Sequence, residues 1–151
     1  MEIMIRKAVY DDIKGMASML SELFSIESDF KVDLEIQKKG LILLLNSKYS
    51  VVFAAESDGK LCGMVTGQLV VSTASGGYSV LLEDLFVKKE FRKSGIASKL
   101  VTAVENWAIY NNAKRIQLVA DETNTTALNF YKNRNFIPGR MRGLYKQINL
   151  M

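Results

Sequence analysis

Three long runs of β-branched and apolar residues crowd the middle of the chain with little between them, and a sheet is the arrangement that accommodates this. Val51 to Glu56 and Lys60 to Val71 flank Asp58-Gly59, a pair that supplies the two positive-φ positions of a tight hairpin turn. They read as an antiparallel pair. Ser72 to Gly77 (STASGG) is a loop, and Ser79 to Val87 (SVLLEDLFV) returns as a third strand. The period then changes from two to about 3.6: Ile96, Leu100, Val104 and Trp107 or Ala108 mark the buried stripe of a helix ending near Asn111. Arg115 to Ala120 (RIQLVA) follows as a buried strand. A strand, helix, strand order implies a parallel crossover.

Both ends add to this centre. A short strand, Ile3 to Lys7, precedes a helix in which Ile13, Met16, Ala17, Leu20, Leu23 and Phe24 recur at helical steps, with Asp11 as its expected N-cap. A polar break at Glu27 to Lys31 leads to a second helical stretch, roughly Asp33 to Asn46. Beyond the crossover, Thr125 to Asn133 reads as a short helix, Phe136-Ile137 and Pro138-Gly139 open a last segment, and Tyr145 to Leu150 can form a closing strand. No repeat or linker interrupts the 151 residues, a length that suits one domain, residues 1–151. The expected fold is α+β, a mixed and mostly antiparallel sheet flanked by helices.

Composition removes several classes of function. With 48% apolar residues, 24% charged and one proline, the chain is globular in type. No apolar run exceeds five residues, as at Leu41 to Leu45, against the roughly 20 that a membrane span needs. The start carries no signal-peptide pattern, and a cytoplasmic location is the expectation. The single cysteine, Cys62, sits in the strand-like run LCGMV and reads as a buried, inert thiol. The absence of histidine excludes Ser-His and Cys-His catalysis and His-based metal sites, and no metal is expected. A net charge of +4 is compatible with an anionic ligand such as a nucleotide cofactor. The basic residues are scattered without aromatic interleaving, which speaks against nucleic acid.

The junction Glu90 to Ser98 (EFRKSGIAS) carries the most specific chemistry. A helix N-terminus offers N–H groups and partial positive charge to a phosphate. Gly95 lets a ligand approach the backbone, Ala97 and Ser98 keep the first turn free of bulk, and Arg92 and Lys93 add charge. A glycine near a helix start is also simple turn chemistry. Neither a P-loop nor a GxGxxG fingerprint is present.

Arg92-Lys-Ser-Gly95-Ile-Ala97 matches the [Q/R]-x-x-G-x-[G/A] pattern of the GNAT superfamily of N-acetyltransferases, and Asn124, Ala127, Phe130 and Tyr131 stand where that superfamily has an asparagine, an alanine and a Phe-Tyr pair. Through these two motifs the chain resembles that superfamily over nearly its whole length. The resemblance implies acetyl-CoA as co-substrate, its pyrophosphate held by the N–H groups of Lys93, Ser94, Gly95, Ile96, Ala97 and Ser98 beside Arg92. It further implies contacts from Leu85, Phe86 and Val87 on the preceding strand, an oxyanion held by a main-chain N–H near Leu85, and a cofactor contact or a helix N-cap for Asn124. One position departs from the family: Asn135 replaces the glycine before Phe136. Asparagine tolerates the left-handed backbone that this turn needs. A homodimer through the apolar C-terminal strand is a further analogy.

Acetyl transfer to an amine requires a neutral amine, a stabilised oxyanion and a proton for the departing thiolate. Glu83-Asp84 lies within otherwise apolar VLLEDLFV, and burying unpaired carboxylates is costly. Either strand alternation sends one outward while a basic neighbour pairs the other, or Glu83 is the general base and Asp84 binds a cationic amine, an arrangement similar to the polyamine-acetyltransferase branch. Tyr131 is the candidate acid, its phenol protonated at neutral pH; the alternative is a core aromatic beside Phe130. Lys88, Lys89, Lys132 and Arg134 take no assigned role. The leading expectation is an acetyl-CoA-dependent N-acetyltransferase acting on a primary amine of a small molecule, polyamine-like amines among the candidates. Protein or peptide acetylation, and a catalytically silent acetyl-CoA sensor, are the alternatives.

Overall fold

Asp58 and Gly59 both adopt left-handed backbone, φ +51° and +79°, and the strands they join pair from Ser57↔Lys60 to Ser50↔Gln68 with one register shift between Ala55 and Glu56. These strands belong to a computed structural model that describes residues 2–26 and 33–148. The described residues form two compact units, one up to Gln117 and one from Leu118 onward.

In the first unit, β1 (Ile3–Lys7), β2 (Ser50–Ser57), β3 (Lys60–Ser72), β4 (Gly77–Val87) and β5 (Arg115–Gln117) form one sheet in that spatial order. The first three pairings are antiparallel. The last, β4 with β5, is parallel. Three helices belong to this unit: α1 (Ile13–Ile26), α2 (Leu34–Leu45) and α3 (Ile96–Tyr110).

Alternation along β2 sends successive side chains to opposite faces. Val52 and Ala54 pack with Met16, Leu20 and Leu41 of α1 and α2. On β3, a Cβ placed on Gly67 would stand 3.4 Å from Trp107 and 3.5 Å from Val104 of α3. The sheet is thus covered on both faces, which explains why the strands read as nearly continuous apolar runs. The buried stripe of α3 is Ile96, Leu100, Val101, Val104 and Ala108, so Ala108 rather than Trp107 completes it.

Four expectations are corrected or trimmed. Asp11 does not cap α1: a 3-10 turn, Tyr10–Asp12, leads into it, and the Asp12 carboxylate accepts from the Val9 N–H at 2.7 Å. The same carboxylate takes a two-pronged contact from Arg6, at 2.7 and 2.9 Å, which holds it below the usual carboxylate range and ties α1 to β1. The final strand of the first unit stops at Gln117 instead of Ala120 because its pairing covers only Ser79–Leu81 of β4. The loop expected from Ser72 to Gly77 shrinks to four residues, both ends entering strands. Residues Tyr145 to Ile148 are not a strand, and the strand edge on which a dimer was expected to build is absent there; Asn149 and Leu150 lie outside the described residues, as does the break at Glu27 to Lys31.

Asp33 caps α2 as the pattern suggests, its carboxylate accepting from Glu35 at 3.0 Å and Ile36 at 3.3 Å. Cys62 is fully buried, its thiol donating to the Ala55 carbonyl at 3.3 Å, and burial pushes its pKa up. The inert reading holds. The second unit contains one described helix, α4 (Thr125–Asn133).

Candidate active site

The register between β3 and β4 breaks once. Met64 faces Phe86 but Thr66 faces Glu83, so Val65 alone opposes both Asp84 and Leu85. This is a β-bulge, one extra residue on β4, and such a residue leaves the regular ladder and re-aims its side chain. Asp84 carries a positive φ of 58°, a region that Asp enters more readily than most residues.

The bulge decides where the paired carboxylates go. In a regular strand Glu83 and Asp84 would face opposite sides of the sheet. Here both line one cleft of about 570 Å³ between β4, the neighbouring stretch of β3 and the helices α1 and α2. Among the described residues Asp84 finds no basic partner; it accepts from the Thr66 hydroxyl at 3.0 Å, and the same hydroxyl lies 3.2 Å from the Glu83 carbonyl. Loss of solvent pushes the Asp84 carboxyl above its ordinary pKa, and the Thr66 hydrogen bond offsets part of this. Glu83 remains exposed at the surface of the cleft.

Past the bulge, β4 runs out into the glycine-bearing junction. Phe86 and Val87 have buried side chains, so only their main chain is available to a ligand, and the same holds for Ile96 at 1% exposure. Arg92 straps the junction to the strand: its Nε donates to the Val87 carbonyl at 2.8 Å and its guanidinium stands 5.3 Å from the Phe86 ring centroid. Ser94 donates its hydroxyl to the Phe91 carbonyl. Lys93 and Gly95 both adopt positive φ, 62° and 83°, and Gly95 is the N-cap of α3.

A Cβ built on Gly95 would meet nothing within 4 Å. The first α-helical bond runs from Lys99 N–H to Gly95 O at 3.1 Å, so the amides of Gly95, Ile96, Ala97 and Ser98 precede the ladder. Open space in front of a left-handed glycine at a helix N-terminus suits a diphosphate. The junction therefore fits the pyrophosphate of coenzyme A.

The second unit holds the other two residues of interest. Asn124 caps α4, its side chain accepting from the Ala127 N–H at 3.1 Å. Tyr131 is half-buried between two aromatic rings, edge-on to Phe130 at 5.3 Å and to Phe136 at 5.5 Å between centroids. Asn135 takes the left-handed backbone foreseen for it, φ +70°. Sequence reasoning overlooked Thr66, the donor to Asp84, and the wall of α2 facing the carboxylates; the helical stretch itself was legible, but its partner across the cleft was not. Among the described residues no group of acidic, cysteine or histidine side chains could hold a metal ion, and no helix is long and apolar enough to cross a membrane.

A sheet covered on both faces, a bulged strand bearing two carboxylates and a glycine-led helix N-terminus at that strand's end define an acyl-CoA-dependent transferase fold. The acetyltransferase (GNAT) family matches residues 14–136, and the chain belongs to that family, whose enzymes use acetyl-CoA as acetyl donor. It is 28% identical over 144 residues to N-alpha-acetyltransferase 60 of Xenopus tropicalis, a match covering 89% of this chain and 60% of that protein; the chain thus spans less than two thirds of that relative. An uncharacterized N-acetyltransferase of Bacillus subtilis, YhfO, is 27% identical over 132 residues, covering 87% of this chain and 88% of that one. In fold, the chain is similar to a possible acetyltransferase from Clostridium difficile 630, with a TM-score of 0.85, 21% identity and coverage of 98% of this chain and 99% of that one.

Proposed function

We propose that the chain, acting as one catalytic domain, transfers the acetyl group of acetyl-CoA to a primary amine of a small molecule by direct attack of the amine on the thioester. The observation that carries this is the course of β4: one strand delivers Glu83 and Asp84 to a cleft and then leads straight into the glycine-led N-terminus of α3. Acceptor and donor sites are thereby set at the two ends of the bulge.

Each residue then has a task. The amides from Lys93 to Ser98 hold the pyrophosphate, with Arg92 shaping the junction, and the main chain of Leu85, Phe86 and Val87 borders the acyl arm. Asp84 attracts the ammonium of the acceptor. Glu83 accepts its proton, directly or through water, freeing the nitrogen lone pair. As nitrogen bonds to the carbonyl carbon, charge collects on oxygen, and a main-chain N–H near Leu85 stabilises it. The C–S bond then breaks, the Tyr131 phenol protonates the leaving thiolate, and the second proton leaving the new amide nitrogen restores the phenol, directly or through water. Asn124 caps α4, the helix that carries Tyr131.

The run Leu82-Glu83-Asp84 is similar to that of polyamine acetyltransferases, which puts polyamines among the acceptors to try. Similarity to N-alpha-acetyltransferase 60 favours a second reading, in which the acceptor is the N-terminus of a protein or peptide. A silent sensor of acetyl-CoA would have no use for two carboxylates in a cleft.

The thiolate step is tested by Tyr131→Phe, which removes only the hydroxyl. Turnover should fall roughly 10²-fold with acetyl-CoA affinity unchanged. Turnover within a few-fold of the parent would leave Tyr131 as a packing residue between Phe130 and Phe136.

A further inference from the structure

The two carboxylates occupy only a small part of the cleft wall; the rest decides what the acceptor carries besides its amine. Leu20 and Phe24 of α1, Ile36 and Leu44 of α2 and Leu69 of β3 line it. None of the described lining residues is a lysine or arginine. Two polar groups of the wall are already engaged locally: the Gln37 Oε1 accepts from the Asp33 N–H at 2.8 Å, and the Ser50 hydroxyl donates to the Leu44 carbonyl at 2.6 Å. Beside the Tyr49 wall stands a cation, Lys48, its Nζ 5.1 Å from the ring centroid.

We propose that this cleft selects a free amine with a single ammonium group on an apolar body, such as an arylalkylamine or alkylamine, over a polycation. The inference rests on the acetyltransfer reading above and narrows it. One ammonium is matched by Glu83 and Asp84 at one end. The apolar body is matched by leucine, isoleucine and phenylalanine side chains, several of them still exposed to solvent, such as Ile36 at 51%. A second ammonium would lose water against a wall whose described lining residues offer no carboxylate beyond Glu83 and Asp84, and would approach the charge of Lys48 near Tyr49. The volume of about 570 Å³ lies in the range of small-ligand pockets, on the order of 300–1,000 Å³, so a free amine fills it without an extended groove for peptide backbone.

The test follows thiol release from acetyl-CoA with 2-phenylethylamine, hexylamine, putrescine, spermidine and a short peptide with N-terminal methionine, with acetyl-CoA binding measured separately by calorimetry. The expected result is a kcat/KM for 2-phenylethylamine at least about 10-fold above putrescine and spermidine, given that each buried methylene contributes several-fold. Leu69→Gln should lower the phenylethylamine value by roughly 10-fold and the putrescine value by much less. Preference for the polyamines, or for the peptide, overturns this inference while leaving acetyltransfer to amines standing. Bound acetyl-CoA with no acetylation of any amine overturns the acetyltransfer reading itself. If Leu69→Gln fails to fold, Ile36→Gln on the exposed rim of the cleft makes the same comparison.

Discussion

Gly59 and Gly95 pose the same local problem to a side chain and differ in what lies beyond it. Both have φ near +80°, and at both an added Cβ meets nothing within 4 Å. Valine at either position should therefore cost a similar ~1–2 kcal/mol of backbone strain. Only Gly95→Val places that side chain where a pyrophosphate approaches the helix N-terminus. Calorimetry should find acetyl-CoA binding abolished in folded Gly95→Val and unchanged in Gly59→Val; equal affinities would remove the phosphate site. Asp84 makes a second prediction at this scale. Its folded-state pKa is raised by burial, so the folded protein binds the proton more tightly than the unfolded chain, and stability falls as pH rises from the ordinary carboxylate range through the raised value. Asn also tolerates left-handed backbone and can accept from Thr66. Asp84→Asn should thus melt higher than the parent at pH 7, the gap closing as pH falls to about 4, while acceptor KM rises more than kcat falls. A lower Tm at pH 7 would mean that the carboxylate is stabilised in the fold by a partner and is not held there for substrate.

Among the elements, α2 makes one wall of the cleft, and its start depends on Asp33. Asp33→Ala removes the acceptor of two first-turn amides and should cost about 1 kcal/mol, a drop in Tm of about 2–4 °C for a chain of this size. Acetyl-CoA affinity, which depends on α3, should not change; a loss there would mean that the two sites are coupled. Only the start of this helix near Asp33 was read from the sequence, although Asp directly before a helical repeat is a recognisable N-cap signal. The hairpin at Asp58-Gly59 was legible because its residue types are demanded by local backbone geometry. The bulge was not. VLLEDLFV reads as an ordinary strand, and only the opposing register of β3 reveals that Asp84 and Leu85 together face Val65. That is a relation between segments about twenty residues apart, invisible to any local pattern. The same limit explains β5: apolar residues continue through Leu118, Val119 and Ala120, but pairing ends at Leu81↔Gln117. Asp12 was missed in favour of Asp11 because its role is set by Arg6 on β1 as well as by its own turn.

For the molecule as a whole, the family was readable from two short motifs in the right sequence, and the mixed, mostly antiparallel sheet from the hairpin and the crossover, while the composition of the cleft was not. Helices α1 and α2 looked least diagnostic in the sequence, yet they supply most of the surface that an acceptor would touch. A shared donor site beside a variable acceptor wall is what lets one fold serve many amines. The central claim is that this molecule acetylates an amine whose proton Glu83 removes, and the pH dependence of Glu83→Gln tests it most directly. A primary amine with a pKa of about 10.4 is almost wholly protonated at neutral pH. Glutamine keeps the shape and removes the basicity, so kcat/KM at pH 7 should fall about 10²-fold, and the deficit should shrink steadily toward pH 10 as solvent supplies free amine. A deficit of the same factor from pH 7 to pH 10, or a rise in acceptor KM alone, would contradict the account and leave Glu83 as an electrostatic anchor for the ammonium.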